Sequence, residues 1–120
     1  MSGKRSQRKG KAGELECRRL LEASGLRVMA TGVYQQGPER LPDLFIRSPI
    51  AGIPEVGIEV KRTNAWKMPE YLAQLDQQRL SRPDVVGALM LRRDGDPRWV
   101  IATYWDDFQE LARALRAPLV

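Results

Sequence analysis

The stretch Glu55-Val-Gly-Ile-Glu-Val-Lys61 organises the reading of the whole chain. Its β-branched residues and its alternation predict a strand, in which successive side chains point to opposite faces. Val56, Ile58 and Val60 then form an apolar layer. Glu55, Gly57, Glu59 and Lys61 share the other face, with Glu59 and Lys61 about 7 Å apart along the strand.

The next strand upstream, residues 43–47, has a similar division. Leu44 and Ile46 face one side, Asp43 and Phe45 the other, and Asp43 opens the strand directly after Pro42. The turn-rich segment 48–54 connects the two strands, so they are expected to pair antiparallel. That pairing brings Asp43 close to Glu59 and Lys61, at one edge of the sheet. Two adjacent carboxylates repel unless a positive charge lies between them. A hard, oxygen-seeking ion such as Mg²⁺ or Mn²⁺ resolves the repulsion, polarises a phosphoryl oxygen and acidifies a bound water. Lys61 then orients or deprotonates that water, or stabilises charge developing on phosphate.

Farther out, Cys17, Leu20, Leu21 and Ser24 recur at helical spacing, predicting a helix over residues 12–24 with Gly25 as its stop. Glu14 shares a stripe with Cys17 and Leu21, so it is expected to approach the sheet, whereas Glu16 is offset toward solvent. Residues 26–30 form a short strand, and 31–42 a loop broken by Gly32, Gly37, Pro38 and Pro42. Downstream, Pro69 opens a helix over 69–80. The apolar run 85–91 is a strand covered on both faces. A turn at Asp94-Gly-Asp96 leads to a strand over 99–104. Asp107 and Glu110 form a capping-box-like start for a helix over 107–115. The order α-β-β-β-α-β-β-α makes this an α/β single domain, with a mixed five-stranded sheet flanked by helices.

Composition limits the chemistry. The chain of 120 residues contains no histidine, which removes imidazole bases, histidine-held zinc and Ser-His or Cys-His nucleophiles. One cysteine, Cys17, cannot form an internal disulfide, which points to a reducing, cytoplasmic setting. No apolar run approaches the roughly 20 residues that span a bilayer, so no membrane partner is expected. Lys4, Arg5, Arg8, Lys9 and Lys11 account for the whole net charge of +5. Residues 1–11 thus read as a flexible basic arm, either a phosphate-binding device or a solubilising tail. Arg62 and Lys67, just past the reactive strand, are further candidates for phosphate contact.

Taken singly, these signals are ordinary: a strand ion pair, a Pro-Asp turn, an acid favoured by a helix N-terminus. Jointly, the chain resembles the PD-(D/E)xK nuclease superfamily. Pro42-Asp43 is similar to the first half of that motif and Glu59-Val60-Lys61 to the second. Lys9-Gly10-Lys11-Ala12-Gly13-Glu14 resembles the Lys-Gly-x-x-x-Glu of archaeal-type Holliday junction resolvases and related phage endonucleases. The resemblance implies a restriction-endonuclease-like core, with residues 12–120 as the nuclease domain. It implies that Asp43, Glu59 and the Val60 carbonyl ligate Mg²⁺ (Mn²⁺ substituting), with Glu14 bound directly or through water. It further implies that Lys61 handles the nucleophilic water, that branched DNA is the substrate and that the protein is a homodimer. Some branches place a glutamine near the metal, and Gln74, Gln77 and Gln78 are all candidates. The rival readings are a non-catalytic nucleic-acid-binding module of the same fold and a general DNA or RNA nuclease.

Overall fold

The computed structural model describes residues 2–31 and 41–116, with only the backbone described over 2–9. Helix α1 (Ser2–Ala23) precedes strands β1 (Val28–Ala30), β2 (Leu44–Ile46) and β3 (Glu55–Arg62). Helix α2 (Met68–Ser81), strands β4 (Val85–Arg92) and β5 (Val100–Ala102), and helix α3 (Trp105–Arg116) complete the chain. The five strands lie in sequence order in one sheet, all antiparallel except β3 and β4. That parallel pair is bridged by α2, as a parallel pairing requires a crossover. The α/β fold with a mixed five-stranded sheet is therefore as expected.

Two apolar layers enclose the central strands. Val56 and Ile58 of β3 and Val86, Ala88 and Met90 of β4 pack with Cys17 and Leu21 of α1 and with Leu111 and Ala114 of α3. Leu89 and Leu91 point the other way, against Tyr71 and Leu75 of α2. The apolar run in β4 is thus explained by burial on both faces. Each fully buried Leu or Ile contributes on the order of 1.5–3 kcal/mol through burial.

Three local features differ from the sequence reading. The backbone is helical from Ser2, not from about residue 12, so the basic segment continues α1. Lys, Arg, Gln and Ala are good helix formers and no proline interrupts them, so helix propagates through the glycines. The start of α3 is at Trp105, and Asp107 lies within its first turn, donating its N–H to the Tyr104 carbonyl instead of capping from outside. Finally, β3 is the central strand, so the expected site lies at the sheet's interior and not at its edge. The stop of α1 is as read: Gly25 takes φ 92°, with Gly25 N–H bonded to the Glu22 carbonyl and Leu26 N–H to that of Leu21.

Two glycines permit close packing at the site. A Cβ on Gly57 would meet Pro42 Cγ at 2.7 Å, so only glycine lets the Pro42-Asp43 segment lie over β3. A Cβ on Gly13 would lie 3.1 Å from Arg62 Cβ, which sets how near α1 comes to the end of β3. Among the described residues, no helix is long and apolar enough to cross a membrane.

Candidate active site

Antiparallel register aligns Leu44 with Ile58 and Ile46 with Val56, leaving Asp43 just past the paired segment. There its Oδ2 accepts a hydrogen bond of 2.8 Å from the Val60 N–H, inside the Glu-x-Lys motif. Thr31, which is buried, fixes the same segment from the other side. Its N–H donates to the Asp43 carbonyl at 3.1 Å, and its hydroxyl contacts the carbonyls of Pro42 and Asp43. Thr31 was missed in the sequence, where it appears only as the first residue of a loop.

Glu14 reaches the same point from α1. Its carboxyl shares a hydrogen bond with that of Asp43, and its pKa is pushed up to about 7, first by burial and then by the Asp43 charge and the shared bond. Lys11 opposes this shift from one turn earlier. Two carboxyls within hydrogen-bond range need a shared proton or a cation to coexist. The donors present are hard oxygens, as Mg²⁺ or Mn²⁺ requires, so the Glu14–Asp43 pair fits such an ion.

Glu59 belongs to the opposite face of β3. It is 4% exposed under α2, and its Oε2 accepts a 2.5 Å hydrogen bond from Gln78 Nε2. The polar face inferred from alternation is therefore a covered one. Of the three candidate glutamines, Gln78 is the one on Glu59. Gln77 is exposed, and Gln74 holds a buried Oε1 without a partner among the described residues. Among the described residues, no group of three or more acidic, histidine or cysteine side chains is arranged to hold a metal ion. Of the four sequence-selected residues, Glu14 meets Asp43, while Glu59 meets Gln78 and Lys61 lies on Tyr71.

Lys61 lies with its Nζ 5.0 Å from the centre of the Tyr71 ring. Tyr71 is itself buried on α2 and was not singled out in the sequence. An open groove of about 470 Å³ runs beside Lys61, lined also by Gly10, Val60, Thr63, Lys67 and Tyr71. A larger hollow of about 580 Å³ along α3 contains no acid and is remote from this chemistry.

The remaining basic candidates divide. Arg62 is held by Glu16 at 3.4 Å and by Asp94 at 3.4 Å, so its guanidinium ties α1 to the ends of β3 and β4. Glu16, expected in solvent, also binds Arg92. Lys67 is exposed at the groove, and Lys11 is exposed on α1. The side chains of Lys4, Arg5, Arg8 and Lys9, and the loop segment 34–40, lie outside the described residues.

No protein-family model and no curated protein sequence matches the chain. Comparison with solved structures finds Hjc, a Holliday junction resolvase from the archaeal hyperthermophile Archaeoglobus fulgidus. The two superpose with a TM-score of 0.58 at 16% identity, covering 78% of this chain and 76% of that one. At this identity the likeness is one of fold: the α/β architecture of this chain is that of a known resolvase.

Proposed function

We propose that the protein is a metal-dependent endonuclease that hydrolyses phosphodiester bonds in DNA, with branched DNA as its preferred substrate. The observation that carries this reading is the Glu14–Asp43 carboxyl pair, docked on the Val60 N–H within the Glu-x-Lys motif. Asp43 and Glu14 would hold Mg²⁺ or Mn²⁺, with Glu59 and the Val60 carbonyl as further oxygen donors. When bound, the ion supplies charge neutralisation and an acidified water. Lys61 would orient the attacking water and, as an ammonium, stabilise the charge developing on the phosphate. Tyr71 keeps the ammonium near the groove, and Gln78 orients Glu59. The basic residues of α1 and Lys67 grip phosphates, and Arg62 supports them by fixing α1. A homodimer would place two such sites symmetrically on a junction. The resolvase fold of the Archaeoglobus protein supports this substrate class.

A second reading has its own support. Glu59 is engaged by Gln78, and no three-acid cluster is present among the described residues, as suits a module that binds DNA without cutting it. One experiment separates the two. Purified protein is incubated with Mg²⁺ and a four-way junction, a flap, a linear duplex or a single strand. The endonuclease reading expects paired cuts in the junction, abolished by EDTA. It expects Asp43→Asn, Glu59→Gln and Lys61→Ala each to lose at least about a hundredfold in rate. Undiminished cutting by Asp43→Asn would overturn its role, and absence of any Mg²⁺-dependent nicking would favour the binding module.

A further inference from the structure

On the far side of the loop that follows Lys61 lies a second concavity, of about 330 Å³, lined by Trp66, Arg93, Asp96, Arg98, Trp99 and Val100. This size is at the small end of the roughly 300–1,000 Å³ typical of ligand pockets. Two indoles form part of its wall, each anchored from behind. Trp66 packs against the α2-side core and Trp99 against the α1-side core. Their rings are therefore held in place before any ligand arrives, which lowers the entropic cost of stacking.

The polar groups point to an anionic, aromatic ligand. The Arg93 guanidinium sits 4.5 Å over the Trp66 ring. It makes no salt bridge among the described residues, whereas Arg98 is clamped on Asp96 at 2.9 Å. The pocket thus keeps one cation without a direct ion pair. The Trp66 Nε1 is itself buried, without a hydrogen-bond partner among the described residues, so it is the indole ring and not its N–H that the pocket offers. Position completes the case. Trp66 lines this pocket while its neighbours Ala65 and Lys67 line the groove beside Lys61, so one loop separates the two. That loop is braced: Thr63 N–H bonds the Arg92 carbonyl, and Asn64 Oδ1 accepts from Asp94 N–H.

The geometry points to a subsite for one unpaired nucleobase of a DNA strand, stacked on the Trp66–Arg93 layer with its phosphate on Arg93. Anchored aromatics joined to a guanidinium are the means by which proteins hold single-stranded bases, and a duplex keeps its bases stacked on one another. The inference rests on the endonuclease reading only in taking DNA as the ligand.

The test measures binding, so that it does not depend on cleavage. Asp43→Asn protein in EDTA is titrated into fluorescein-labelled oligothymidylate, an abasic strand of equal length and a blunt duplex, read by anisotropy. Trp66→Ala and Arg93→Ala, each made in that background, are expected to weaken oligothymidylate binding about tenfold, and Trp66→Phe to restore it to within about threefold. The abasic strand is expected to bind the parent about as weakly as oligothymidylate binds Trp66→Ala. Arg93 is exposed, so its variant keeps the test valid should Trp66→Ala fail to fold. Equal binding of thymidylate and abasic strands by the parent would overturn the proposal. So would an equal loss on the duplex, and tighter binding of oligouridylate would overturn the assignment to DNA. Mg²⁺-dependent nicking by the native protein is scored separately: its absence would sink the nuclease reading and leave this binding result standing.

Discussion

At the scale of single residues, Glu14 carries a mismatch between charge and surroundings. Its pKa stands near 7 instead of the ordinary 4.5. The folded chain therefore keeps a proton that the unfolded chain loses between those values. Stability is lost as the pH rises from about 4.5 to 7, and the deficit persists above. In metal-free buffer, Glu14→Gln is expected to melt above the native protein at pH 8, with the gap closing toward pH 4.5. Thermal melts across that range check this, and coincident curves would refute it. Added Mg²⁺ should raise the native protein more than the variant. Gln78 makes the opposite kind of contribution. Its loss in Gln78→Ala removes the amide donor from a buried carboxylate, at a cost of about 1–3 kcal/mol in urea denaturation. Asp43, Glu59 and Lys61 were legible in the sequence because each lies in a short motif. Gln78 was legible only as one of three, because helical phase alone does not say which glutamine faces a strand 19 residues earlier. Thr31 and Tyr71 were illegible, since their roles depend on contacts with Asp43 and Lys61 that only the fold creates.

At the scale of elements, the strand and helix types followed from periodicity. The alternation in β3, the unbroken apolar run in β4 and the Gly25 stop of α1 are local signals with local causes. What periodicity could not supply was depth. The Glu59 face of β3 resembles a solvated one until α2 is laid across it. The N-terminal extent of α1 was also hidden, because a run of basic residues reads as a tail as readily as a helix. Contact between elements depends on the small residues. Gly57→Ala should clash with Pro42, displacing Asp43, and cost about 1–3 kcal/mol. Gly87→Ala is a suitable comparison, because the one tight contact of its Cβ would be the Leu75 Cδ2 end at 3.3 Å, and a smaller loss is expected. Urea midpoints of the two variants test the order. The edge strands β1 and β5 are each three residues long, which limits sheet-to-sheet association.

At the scale of the whole molecule, charge is distributed unevenly. Residues 12–120 are neutral overall, and the net +5 lies in the first half of α1, whose exposed Lys11 adjoins the site. Binding to DNA should therefore depend steeply on salt. Replacing Lys4, Arg5, Arg8 and Lys9 by glutamine is expected to flatten the plot of log affinity against log salt, by about 0.9 for each phosphate no longer neutralised. Titrations at several salt concentrations measure that slope, and an unchanged slope would show that these residues do not touch the backbone. The fold was legible at this scale where the evolutionary record was not: the architecture matches a resolvase at 16% identity. Hydrophobic pattern tolerates wide substitution as long as each face keeps its character.

Cys17 gives the molecule a built-in reporter. Its thiol is fully buried between α1 and the sheet, and burial, with help from Asp43, pushes its pKa up to about 12. A neutral, enclosed thiol does not attack disulfide reagents, which require thiolate and access. Labelling of the native protein can proceed only when α1 lifts from the sheet, so its rate reads the same opening that would separate Glu14 from Asp43. One sulfur atom, playing no part in the chemistry, therefore times the assembly of the site without any added probe.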